Sequence, residues 1–186
     1  MRACTFFERP NAESVSMNIV FKRLTDVAAT DIIDLMNHPL VTRQMPLATH
    51  ICFDEATCDA FIAAKERLWS LHGYGPWAFV IDGRFAGWGG LQTESGDADL
   101  ALVLHPDYWG VGKILYANII ERAFSDMNLD AVTILLPTTR VRIRAVLRLG
   151  FLPDGYLDIS GERFVRYRLT KSDHQRRVTQ FHGTKN

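Results

Sequence analysis

The hydrophobic period of this chain changes at His105-Pro106, and that switch constrains its fold more than any other feature. Before it lie three strand-like runs, 77–81, 85–92 and 98–104, separated by tight turns. Asp82-Gly83 is a strong hairpin signal and Gly96-Asp97 a softer one. After it, Ile114, Leu115, Ala117, Asn118, Ile119, Ile120, Ala123 and Phe124 recur at helical spacing as far as Met127. A chain that turns from alternating runs to a helix in this way builds a sheet and covers it.

The remaining segments fit that plan. Residues 18–24 read as a first strand, and Asp26 is placed to cap a helix carrying Val27, Ile32, Ile33, Leu35 and Met36. Pro39 should stop that helix, leaving a loop over 39–51. A second helix opens at Phe53-Asp54-Glu55 and runs through Leu71, with Phe61, Ile62, Lys65, Leu68 and Trp69 at helical spacing and His72-Gly73 as its stop. Residues 131–136 read as a short strand and 138–149 as an arginine-rich helix ended by Gly150. Residues 156–159 and 163–169 read as two final strands. The order predicts a mixed α/β fold: about seven mostly antiparallel strands with four helices on both faces. The strand before the central helix and the strand after it should be parallel. Residues 1–16 read as a loose extension, 17–171 as the folded domain and 172–186 as a polar, aperiodic tail.

Composition narrows the function. The chain has 186 residues, 47% hydrophobic and 23% charged, with 21 basic and 21 acidic side chains. One domain with a real core is expected. Zero net charge counts against a nucleic-acid partner. No apolar run is long enough to predict a membrane span. The three cysteines, Cys4, Cys52 and Cys58, have no metal-ligand spacing, so no metal is expected. They read as reduced thiols of a cytoplasmic protein.

The stretch Leu102-Val103-Leu104-His105-Pro106-Asp107-Tyr108-Trp109-Gly110-Val111-Gly112-Lys113-Ile114 ends a strand, turns through glycines and opens a helix. The first amides of a helix lack internal partners and carry partial positive charge, and glycines admit a close phosphate. An anion such as a pyrophosphate suits this turn. A plain strand-to-helix turn with no ligand fits the local pattern equally well.

This stretch resembles the phosphate motif Q/R-x-x-G-x-G/A of the GNAT superfamily of acetyl-CoA-dependent N-acetyltransferases, with Gly112 as the central glycine. Pro106-x-Tyr108-Trp109-Gly110-x-Gly112 is similar to the branch that acetylates the N-termini of ribosomal proteins. Three further stretches agree: Asn37-His38-Pro39-Leu40-Val41-Thr42-Arg43, Asp99-Leu100-Ala101-Leu102-Val103-Leu104, and Arg144-Ala145-Val146-Leu147-Arg148-Leu149-Gly150-Phe151. The resemblance covers about residues 17–171. It implies acetyl-CoA as co-substrate and an amine acceptor, either a protein N-terminus or a small molecule, in a monomer or homodimer. It also implies that Leu102, Val103 and Leu104 hold the pantetheine arm, while Trp109, Gly110, Val111, Gly112, Lys113 and Ile114 hold the pyrophosphate.

Several positions depart from the family pattern. Ile114 stands where glycine or alanine is expected. The family's asparagine falls on Thr139 and its serine on Arg142, and Val146 replaces the tyrosine that acts as general acid in many relatives. Arg140 or Arg142 could meet a coenzyme phosphate in compensation. Arg140, Arg144 and Arg148 would then share one helix face.

Acetyl transfer needs a neutral amine and, for most amines, a base. Asp99 and His105 are the candidate bases, with Glu94 behind them; Tyr108 and Tyr116 are candidate acids. Alternation places Asp99 on one sheet face with Ala101 and Val103, away from Leu100, Leu102 and Leu104. Rival readings are a coenzyme-binding protein that has lost turnover, favoured by Val146 and Ile114, and a toxin that acetylates aminoacyl-tRNA. A longer acyl donor is also open.

Overall fold

Strand pairing organises the molecule. In a computed structural model, which describes residues 17–45, 52–140 and 143–183, seven strands form one sheet in the order β1-β2-β3-β4-β5-β7-β6. They are β1 (Ile19–Lys22), β2 (Pro76–Ile81), β3 (Arg84–Glu94), β4 (Asp97–Leu104), β5 (Ala131–Pro137), β6 (Leu152–Ile159) and β7 (Glu162–Thr170). All neighbours are antiparallel except β4 and β5, which are parallel as the period switch predicts.

Local chemistry sets the turns. Asp82 and Gly83 both take positive φ between β2 and β3, the geometry that hairpin loops require. The glycines of β3 serve close strand approach: a Cβ on Gly89 would lie 2.6 Å from the Ala101 carbonyl oxygen.

The helices are α1 (Ala29–Asn37), α2 (Pro39–Thr42), α3 (Glu55–His72), α4 (Gly112–Glu121), α5 (Arg144–Arg148) and α6 (Lys171–Gly183). Each sheet face carries its own core. On one side Leu24, Ile32, Leu35, Met36, Cys58, Ala78 and Trp88 pack together, with Ala101 and Val103 of β4 against them. On the other, Phe79, Leu91, Leu100, Leu104, Leu115, Ile119, Ile120, Val132, Phe151 and Leu169 form the larger cluster. The alternation expected for β4 is therefore present. Among the described residues no helix is long and apolar enough to cross a membrane.

Four local expectations are corrected. Asp26 does not cap α1: its carboxylate accepts the Arg23 amide and closes a separate 3-10 turn (Leu24–Asp26), and the chain then extends at Val27. Part of the expected 39–51 loop is helical, because Pro39 occupies the first turn of α2 and His38 Nδ1 accepts the Leu40 amide; residues 46–51 lie outside the described set. The arginine helix shrinks to α5. Strand pairing carries β5 through Pro137, Thr138 donates to the Arg163 carbonyl, and Arg140 donates back to Pro137 in a turn. Arg140 thus leaves the face shared by Arg144 and Arg148. Lastly, the segment beginning at residue 172, read as an aperiodic tail, lies in α6. Thr170 Oγ1 accepts the Asp173 amide and donates to the Asp173 carboxylate, a helix-start pattern at spacing three. His174 lies 5.3 Å from Phe124, ring to ring. The N-terminal extension 1–16 lies outside the described residues.

Candidate active site

β4 and β5 are in ladder register at one parallel pair, Asp99 opposite Thr133. Past that pair both strands continue, β4 to Leu104 and β5 to Pro137, with no register between them. β3 pairs with β4 along its whole length, so one edge of Leu102–Leu104 is satisfied and the edge toward β5 is open. A cleft of about 620 Å³ fills the gap, lined among others by Leu102, Val103, Leu104, Trp109 and Gly112. Thr139 and Arg140 line it beyond β5, and Val41, Gln44 and Met45 line it from the α2 side.

The turn after β4 is more regular than its glycines suggest. Residues Pro106–Val111 form a 3-10 turn that runs directly into α4. His105 begins it, accepting the Asp107 amide on Nδ1 at 3.3 Å. Trp109 is tied to the end of β4 by an indole N–H bond to the Leu104 carbonyl at 2.9 Å. No side chain caps the start of α4, and Gly112, its first residue, faces the cleft. A Cβ there would meet the Leu102 and Leu104 side chains only at 3.7 Å.

The structure therefore brings Leu102, Val103, Leu104, Trp109, Gly112 and Thr139 to one cleft. Gly110 and Lys113 are exposed, and Val111 is buried in the large core. Ile114 is 48% exposed and does not line the cleft. Arg142 lies outside the described residues. Val146 packs at the edge of the large core. Val41, Gln44 and Met45 belong to the 39–51 segment, expected from sequence to help shape the acceptor pocket, although none of the three stood out individually.

Asp99 is buried, only 4% exposed. Burial pushes its carboxyl up to about 7, with repulsion from Glu94 adding to it; hydrogen bonds from Thr133 and Gln92 pull the other way. Thr133 Oγ1 lies 3.3 Å from Asp99 Oδ1. Across the sheet Gln92 pairs with Asp99, and Lys65 of α3 donates to Gln92 Oε1 at 2.7 Å. Farther along the same face, Asp97 and Asp154 bind both Arg166 and Arg168.

His105 packs its ring 5.2 Å from that of His38 and 6.4 Å from Tyr108. Its Nδ1 is committed to the cap. Tyr116 is buried, with its hydroxyl 3.5 Å from the Leu149 carbonyl, and burial holds it well above the usual phenol range. Its hydroxyl points to the Leu149 carbonyl and it does not line the cleft, so it packs the core. Glu94 is half-buried beside Ser95.

The model of an acetyltransferase (GNAT) domain matches residues 18–151. No curated protein matches the chain by sequence. Solved structures are similar across nearly the whole fold. An acetyltransferase from Agrobacterium tumefaciens str. C58 is 18% identical, covering 92% of this chain and 100% of that one, at a TM-score of 0.66. An acetyltransferase of the GNAT family from Bacillus anthracis is 14% identical, covering 84% and 95%, at 0.62. The aminoglycoside acetyltransferase AAC(6')-Ib, solved with coenzyme A and kanamycin, is 15% identical, covering 87% and 98%, at 0.66.

Proposed function

Because the chain belongs to the GNAT acetyltransferase family, we propose that it transfers an acetyl group from acetyl-CoA to a primary amine by direct attack in a ternary complex. One observation carries this reading: β4 and β5 meet at Asp99 and Thr133 and then part, opening a cleft against a free strand edge. An extended pantetheine arm can pair with Leu102–Leu104 there as an added strand would. Gly112 leaves room for a pyrophosphate at the start of α4, Trp109 walls the site, and Thr139 and Arg140 reach it from beyond β5. Gly110, Val111, Lys113 and Ile114 then serve through their backbone or through the shape of the turn. The similar AAC(6')-Ib structure was solved with coenzyme A, which supports coenzyme A as the ligand class.

In this reading Asp99 is the base. With its pKa near 7 it is an effective proton acceptor at neutral pH. The amine nitrogen gives its proton through water to Asp99, which is buried behind the cleft lining, as it bonds to the acetyl carbon. The carbon–sulfur bond breaks and the thiolate leaves, taking up a proton from solvent. A backbone amide of β4 is suited to the charge that develops on the carbonyl oxygen. His105 is the alternative base, acting through Nε2. The acceptor is a protein N-terminus or a small-molecule amine. At pH 7 roughly a tenth of an α-amine is already neutral, against well under a hundredth of a lysine. The likeness of Pro106–Gly112 to the ribosomal-protein branch favours the α-amine.

The test is thiol release from acetyl-CoA in the presence of N-terminal peptides and small primary amines. Amine-dependent release that falls about 100-fold or more in Asp99→Asn supports the reading. Acetyl-CoA binding without release on any amine would favour the coenzyme-binding protein instead.

A further inference from the structure

Lys65 is a half-buried cation facing the sheet. It lies on the sheet-facing side of α3, with Nζ 5.4 Å from the ring centroids of both Phe61 and Trp88. Burial lowers its pKa, and the Asp99 charge opposes that shift. Its ammonium donates to Gln92 Oε1 at 2.7 Å. Gln92 stands directly opposite Asp99 on the neighbouring strand, and its side-chain amide favours the Asp99 carboxylate.

The order of donors matters. An ammonium only donates, while a glutamine amide accepts at Oε1 and donates at Nε2. With Oε1 held by Lys65, the Nε2 end is the one that meets Asp99. Freed from Lys65, the amide can turn and offer Asp99 its oxygen, which suits only the protonated acid. A methionine would fill similar space over the two rings, losing the cation–π contacts but shedding a charge that is costly to desolvate, so it isolates the bond to Gln92 with little change in packing.

We propose that Lys65 is a positioning residue for the acyl transfer: by fixing Gln92 through Oε1, it keeps an N–H donor on Asp99 and favours the carboxylate form. This builds on the assignment of Asp99 as base. The other groups facing Asp99 are Glu94 of β3, which opposes the carboxylate, and Thr133 and the Leu135 backbone amide of β5, which favour it. Asp97 of β4 is neutralised by Arg166 and Arg168 of β7.

The test is an NMR pH titration of the full chain labelled with carboxyl-13C aspartate, the Asp99 signal being the one lost in Asp99→Asn. Lys65→Met should raise the Asp99 midpoint by about half to one pH unit, the scale of one hydrogen bond to the charged form. Its melting temperature should stay within a few degrees of the parent's, since the lost ring and hydrogen-bond contacts offset the relieved desolvation. Lys65→Arg should restore the parent midpoint. Gln92→Leu should raise the midpoint by itself, and Lys65→Met added to it should move the midpoint less than it does alone. An unchanged or lowered midpoint in Lys65→Met, or an equal increment in the Gln92→Leu background, overturns the proposal. If Lys65→Met does not fold, Gln92→Leu still decides: an unmoved midpoint there also overturns it. Failure of the base assignment reads out separately, as amine-dependent thiol release that survives Asp99→Asn.

Discussion

Replacing Asp99 by asparagine should stabilise the fold, and should do so only as pH rises. The unfolded chain ionises an aspartate near pH 4, whereas the buried carboxyl in the fold holds its proton to about pH 7. Below about pH 4 the group is neutral in both states and carries no penalty. Between about 4 and 7 the unfolded chain gives up its proton first, so stability falls as pH rises through that window. Above 7 both states are ionised and the fold bears the full penalty, roughly 4 kcal/mol for a gap of about three pH units. Asparagine cannot ionise and still accepts the Thr133 hydroxyl bond. Asp99→Asn should therefore melt of the order of 10 °C above the parent at pH 8, at about 2–4 °C per kcal/mol for a chain this size. The two should converge near pH 4. Calorimetric melting across pH 4–8 reads this directly. A difference that does not vary with pH, or a variant less stable than the parent at pH 8, would refute the buried-carboxyl reasoning.

Two further outcomes test the cleft and its frame. Gly89→Ala puts a methyl 2.6 Å from the Ala101 carbonyl oxygen, so β3 and β4 must shift; denaturant unfolding should show a loss of about 1–3 kcal/mol. Arg140→Ala removes an exposed cation from the cleft wall. Acetyl-CoA should bind about three- to fivefold more weakly, with a shallower salt dependence, in calorimetric titrations at two ionic strengths.

Much of the frame was readable because local chemistry and global fold agree. Asp54 accepts the Thr57 amide and starts α3, and Gly73 at positive φ ends it, as residue type predicts. Alternation along β4 gave the right face for Asp99. It could not give the depth of that residue, because depth depends on which elements cover the face. The single-pair register between β4 and β5 is likewise a tertiary fact with no residue signature. The arginine helix was overread because β-branched Thr138 and Thr139 follow a strand whose pairing with β7 runs on to Pro137. α6 was missed although Thr170 and Asp173 stand at capping-box spacing, since its polar composition hides the few side chains that anchor it. Lys65 showed only as one of the helically spaced residues of α3, and its partner Gln92 carried no signal. Of the proposed coenzyme residues, those whose side chains or Cα face the β4–β5 gap came together. Ile114 did not, because the 3-10 turn starts the helical path earlier and leaves it facing solvent.

Calorimetric titration of acetyl-CoA into the parent and into Gly112→Asp tests the cleft assignment most directly. Position 112 has helical φ, room for a Cβ, and a helix start that favours a carboxylate, so the variant should melt at or above the parent. Its charge about 5 Å from a pyrophosphate would oppose binding by roughly 3 kcal/mol at an effective dielectric of about 20, a loss of 100-fold or more. Saturable binding to the parent with that loss in a fully folded variant is the expected result. Equal affinity in the two proteins, or no binding to the parent at millimolar acetyl-CoA, would contradict it.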